Sequence, residues 1–142
     1  MDPDAAWTTA PLGQWRAYWA RERMLESSPL LARWDGADAG QQGDVVWDNE
    51  HQRGFLVLRG FVPNEPSRAQ YQLWIFDDAR DDRYPVNGGV FDLPQGRDAV
   101  IVPVASSVRV ARPAAFAVTV EPPGGVVVPD RSKVVAFARA GS

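Results

Sequence analysis

Cysteine is absent from the 142-residue chain, and histidine and lysine occur once each. Without cysteine there are no disulfides, no thiolate metal sites and no thiol nucleophiles. One histidine without a thiol cannot build an ordinary zinc site, and no HExxH is present. No apolar run approaches the roughly 20 residues a helix needs to cross a bilayer. Asp2 and Asp4 follow Met1 where a secretory leader would be basic and then apolar, so the chain as written reads as soluble. The net charge is −3, from 15 basic and 18 acidic side chains, with arginines scattered along the chain. That balance leaves no clustered positive footprint for nucleic acid. There is no repeat of the length that builds solenoids.

What is present is a globular composition, 45% hydrophobic and 23% charged, of a size that fits one domain with an appended element. The chain is organised around 114–128. Phe116, Val118 and Val120 alternate with Ala117, Thr119 and Glu121, the period of a half-buried strand. Pro122 and Pro123 end that ladder, Gly124 and Gly125 supply a tight reversal, and 126–128 are expected to return as the other arm of a hairpin. The run 70–77 is expected as a central strand, with Tyr71, Leu73 and Ile75 on one face and Trp74 and Phe76 on the other.

Upstream, 1–10 is expected to fray and a helix is expected from Pro11. Leu12, Trp15, Tyr18, Trp19 and Leu25 fall at helical spacing, and Ser27, Ser28 and Pro29 end it. The aromatic stripe is expected to pack on the sheet; its alternative use is self-association through Trp15, Tyr18 and Trp19, or a spacer from a membrane. Leu30, Leu31 and Trp34 are expected as a short second helical turn. The glycine-rich 35–43 reads as a linker, which divides the chain into 1–40, a helical segment, and 41–142, a β-domain. Further strands are expected at 44–48, 54–62, 84–93 (with a turn or bulge at Gly88 and Gly89), 98–105 and 133–139. A short edge piece is expected at 108–112. About seven strands with frequent turns predict a mainly β fold, an antiparallel β-sandwich of Greek-key type behind one amphipathic helix.

Candidate chemistry is sparse. His51 lies in a polar turn beside Asp48 and Glu50, and a solvated role is expected for it. Asp77, Asp78, Asp81 and Asp82 form the densest acidic cluster and are the candidates for calcium. Their spacing lacks the alternation of a calcium loop, and Arg80 and Arg83 interrupt it. A hydrolase would have to draw on Asp92, Asp98, Glu121 or His51. Gly88–Gly89 and Gly124–Gly125 are not phosphate loops, since no lysine and helix start follow them. No cofactor and no catalytic residue is expected.

The segment from Gly43 to Arg139 resembles the extracytoplasmic C-terminal domain of the anti-sigma-K factor (RskA-like) family. The residues that carry the resemblance are GFLVLRGF (54–61), PNEP (63–66), YQLW (71–74), GGVF (88–91) and FAVTVEPPGG (116–125). Tyr71, Trp74, Gly88, Gly89, Phe91, Phe116, Thr119, Glu121, Gly124 and Gly125 are therefore expected as structural motif positions, the aromatics as core. The resemblance implies a single-pass membrane regulator with a cytoplasmic segment that holds a sigma factor. A regulatory protease releases that factor, and the β-domain lies on the periplasmic or outer face of the membrane. The sigma-binding segment and spanning helix are not within these residues, so the chain is expected to be an excised sensor domain or a freestanding relative. Under the first reading Trp15 to Leu25 is the juxtamembrane helix. The competing expectation is a carbohydrate- or small-ligand-binding module in which Trp47 or Trp74 stacks on the ligand.

Overall fold

The computed structural model describes residues 11–36 and 40–141. The expectations for 1–10 and for the middle of the 35–43 linker lie outside the described residues. Helix α1, Pro11–Leu25, is followed by strands β1 (Leu30–Trp34), β2 (Gln42–Asp48), β3 (Arg53–Arg59), β4 (Gln70–Asp77), β5 (Val86–Phe91), β6 (Ala99–Ala105), β7 (Pro113–Glu121) and β8 (Val134–Ala140). A single 3-10 turn, Arg131–Lys133, precedes β8.

The strands form one antiparallel sheet in the order β5-β4-β7-β8-β1-β2-β3-β6. This corrects the sandwich of about seven strands: the sheet is continuous and curls until its edges, β5 and β6, face each other. A hydrogen bond from Ser107 N to Asn87 O (3.0 Å) crosses the gap, and both edges contribute to one core cluster. The result is a nearly closed barrel. The eighth strand is β1. Leu30, Ala32 and Trp34 point inward while Leu31 and Arg33 point out, a period of two that a helical turn cannot satisfy. It pairs with β2 and β8, so the sheet takes its first strand from ahead of the 35–43 stretch.

Barrel closure fixes the other two departures. The apolar 126–128 do not form a hairpin arm; β7 pairs with β8 instead. Gly125 N donates to Pro122 O (2.9 Å) and Gly124 has φ +90°, which makes Pro123–Gly124 the centre of the expected reversal. The chain is then caught by Gln72, whose Nε2 donates to Val126 O (3.0 Å) and whose Oε1 accepts from Val126 N (2.9 Å). The expected edge piece at 108–112 is not a strand but a plug. The β6–β7 connection crosses one barrel end and buries Val110 completely. Gln52 holds it there through Val110 N (2.6 Å) and Val110 O (3.0 Å), and Asp77 accepts from Ala111 N (2.8 Å) and Arg112 N (2.9 Å).

Tyr71, Leu73, Ile75, Phe116 and Val118 line the interior with Trp47, whose ring meets Phe116 at 6.0 Å between centroids. On the outer face of β4, Trp74 is covered and donates to Thr119 Oγ1 (2.9 Å). Strand β4 is therefore buried on both sides, as its apolar pattern requires. Gly88 sits at the bulge of β5, where a Cβ would lie 2.6 Å from Leu73 Cδ2.

Candidate functional site

Helix α1 docks against β6, one of the two edge strands of the sheet, by an unexpected face. Gly13 and Ala17 are small enough to let it approach, and Gln14 between them reaches the edge backbone. Gln14 Nε2 donates to Ile101 O (3.0 Å), and Ile101 N donates to Gln14 Oε1 (2.8 Å). One side-chain amide thus replaces a missing strand and blocks edge-to-edge pairing. One turn and three residues further on, Arg21 NH2 grips both carboxylate oxygens of Asp44 in β2 (3.0 and 2.8 Å).

This docking turns the aromatic stripe outward, against the expectation that it packs on the sheet. Leu12, Trp15, Tyr18 and Trp19 are 64%, 61%, 42% and 62% exposed. Tyr18 meets Trp15 edge-on at 6.3 Å and Trp19 edge-on at 5.3 Å between ring centroids. The rings, with Gln14 and Arg97 from the β5–β6 connection, line an open groove of about 480 Å³. Its chemistry is apolar contact with a cationic border at Arg97. The sequence points to Trp15, Tyr18 and Trp19; it gives no warning of Arg97. Gln14 was legible only as a polar residue set between two small ones.

The remaining candidates lie elsewhere. Trp47 and Trp74 are 0% and 1% exposed, so neither offers a stacking plane to a ligand. The motif aromatics Tyr71, Trp74, Phe91 and Phe116 are all buried. Tyr71 donates its hydroxyl to Val62 O, and burial raises its pKa. Asp92 and Glu121 flank Gln70 at one barrel end. Asp92 accepts from Gln70 Nε2 (3.0 Å) and Asn64 Nδ2 (2.8 Å), while buried Glu121 lies 3.7 Å from Lys133 Nζ. Asp98 is exposed. His51 lies at the opposite end, in the β2–β3 turn, with Nδ1 2.7 Å from Asp48 Oδ2. Desolvation pushes the Asp48 carboxyl up, but hydrogen bonds and charge from His51, with the Glu50 amide, outweigh it and leave the pKa below its ordinary value.

The acidic run folds on itself. Asp77 turns inward to the plug, Asp81 accepts from Arg83 Nε and NH2 (3.2 and 2.7 Å), and the Asp82 carbonyl accepts from Arg131 (2.8 Å). Among the described residues no three acids or histidines gather to hold a metal ion. The Arg131–Asp82 contact closes over a small hollow of about 100 Å³, walled by Trp74, Phe76, Thr119 and Phe137.

A curled antiparallel sheet with an aromatic interior, a capped edge and an outward aromatic helix face defines a mainly β, barrel-like domain. The chain belongs to the family described as anti-sigma-K factor RskA, C-terminal, whose model matches residues 5–134. The match takes in α1 and β1 as well as β2 to β7 and ends at the start of β8, so the helix belongs to the family unit that the motif resemblance began only at Gly43. No curated protein and no solved structure matches the chain. Its role is regulatory, in the control of a sigma factor. No described helix is long and apolar enough to cross a membrane.

Proposed function

We propose that this chain is the extracytoplasmic regulatory domain of a membrane-anchored anti-sigma factor, and that its folded state governs proteolytic release of the sigma factor. The observation that carries this reading is the family match over 5–134, which takes in the helix and all strands of the sheet but the last. In this reading the sigma factor is held by a segment outside the chain, and the domain itself catalyses nothing. The geometry supports a gate of a simple kind. Residues 11–36 reach the barrel through side-chain contacts from Gln14 and Arg21 and through the short strand β1. A protease acts on the open form of such a segment, so its rate follows the population of local opening. A ligand or partner that favours the closed form slows release, and loss of folding speeds it.

The test is made in cells, on the anti-sigma factor that carries this domain, with a reporter driven by its sigma factor. Phe116→Ala empties a fully buried site and costs about 3–5 kcal/mol of stability. Reporter output is expected to rise several-fold, with faster loss of the intact anti-sigma factor. Unchanged output from a domain shown by thermal melting to be destabilised would reject the gate.

A further inference from the structure

We propose that the hollow on the outer face of β4, β7 and β8 is a binding site for an acetamido group, the N-acetyl end of a small molecule. Phe76, Ala117, Val134 and Phe137 wall it; buried Thr119 forms its floor, and the exposed Asp82, Arg83 and Arg131 stand at its mouth. Trp74 Nε1 already donates to the Thr119 hydroxyl oxygen (2.9 Å), which leaves the Thr119 proton without an acceptor among the described residues. A buried donor without a partner is costly, and a ligand oxygen placed there removes the cost.

Size and polarity select the group. A volume of about 100 Å³ holds about four non-hydrogen atoms, in proportion to the roughly 150 Å³ that takes a benzene ring. The floor offers one proton and the walls are apolar, so the part that enters must accept a hydrogen bond and bring no donor of its own. A carbonyl with a methyl group beside it meets both demands. A carboxylate is the poorer fit: Arg83 is engaged by both oxygens of Asp81, and Arg131 lies beside Asp82, so no free cation balances a buried anion. The amide N–H faces the mouth, where the exposed Asp82 carboxylate is placed to accept it. Entry needs only the cover to swing. Arg131 is held by one bond to the Asp82 carbonyl (2.8 Å) and by its place over the Phe76 ring (5.6 Å to the centroid), and the side chains of Arg131 and Asp82 are both largely exposed.

The test is an NMR titration of the isotope-labelled full chain with N-methylacetamide, the bare group, and with N-acetylglucosamine and Nε-acetyl-lysine amide as two carriers of it. Glucosamine is the control that lacks it. N-methylacetamide is expected to bind with a millimolar Kd, as a group of about four non-hydrogen atoms allows, and to shift the Thr119 amide and the Trp74 indole N–H. The carrier that binds more tightly identifies the source of the group, an amino sugar or an acetylated side chain. Thr119→Val is expected to weaken binding about tenfold or more, and Thr119→Ser to retain it. Ala117→Val fills the hollow and is expected to abolish binding in a chain that keeps its melting temperature, a readout that stands even if Thr119→Val does not fold. The proposal is overturned if no acetylated probe shifts these signals at about 100 mM. Glucosamine binding as well as its acetylated form overturns it too, as does binding that survives unchanged in Thr119→Val or Ala117→Val.

Discussion

Asp77 ends β4 with its carboxylate turned into the protein, where it does the work of a strand that is not there. Oδ1 accepts from Ala79 N and Arg112 N, both at 2.9 Å, and Oδ2 accepts from Ala111 N at 2.8 Å, with Arg80 Nε 3.8 Å away. Asp77→Asn keeps the size but replaces one oxygen with a donor. The best orientation retains the two bonds at Oδ1, weakened by loss of charge, and sets an amide NH2 against the Ala111 N–H. A buried donor without a partner costs about 1–3 kcal/mol, and the loss of charge assistance adds about 1 kcal/mol more. The variant is expected to be less stable by about 2–4 kcal/mol, a fall in melting temperature of about 5–12 °C for a domain of this size.

The pH dependence gives a second reading of the same carboxylate. Desolvation raises the Asp77 pKa, but the amides of Ala111, Ala79 and Arg112 with the Arg80 charge outweigh it and leave the folded value below the ordinary one. A depressed folded pKa means that the stabilisation is complete above the unfolded value of about 4 and is lost as pH falls through the folded value. Urea titrations of both proteins at neutral pH and at steps below about pH 4 are therefore expected to show the gap closing as acid is added. Equal stability at neutral pH, or a gap that persists unchanged into acid, would refute the assignment of the plug to this carboxylate.

Two other predictions test the edge and the curl of the sheet. Gly43 has φ +123°, and a Cβ there would lie 1.9 Å from Val57 O, so Gly43→Ala is expected to cost at least about 3 kcal/mol by chemical denaturation; a loss under about 1 kcal/mol would show that β2 relaxes freely. Gln14→Ala removes both bonds to the Ile101 backbone, and hydrogen exchange at the Ile101 amide is expected to accelerate about tenfold or more. An unchanged rate would mean that the edge is protected by β6 itself and not by the helix.

The sequence is most legible where one rule acts alone. Pro11 starts α1 and Ser27, Ser28 and Pro29 stop it, so its bounds follow from local chemistry. The apolar residues on both faces of β4 require cover on both sides, and the fold supplies it. Reading fails where a distant partner overrides local preference. Leu30–Trp34 is too short for its period to be decisive, and only the slot between β8 and β2 makes it a strand. The stripe at Trp15 and Trp19 looks like a core-facing face by spacing. Instead the helix docks by its small and polar face, where Gln14 satisfies the open strand edge, and the stripe is left facing outward. Val126–Val128 fails for a related reason: the side chain of Gln72 presents a donor and an acceptor where a neighbouring strand would.

These exceptions share a mechanism that bears on what the domain is for. Gln14 caps the edge, Gln72 catches the segment after β7, Gln52 and Asp77 seat the plug, and Asn64 joins the β3–β4 connection to Leu93. The interior is held by cooperative burial of aromatic and branched side chains, whereas the barrel's seams are held by single polar side chains reaching backbone. Each seam bond contributes about 1 kcal/mol net, far less than the burial that holds the sheet together. Opening therefore begins at the seams and at α1 while the sheet stays intact. Under the proposed gate, contacts made at these margins shift that opening, and α1 is the margin with the most uncovered aromatic surface among the described residues.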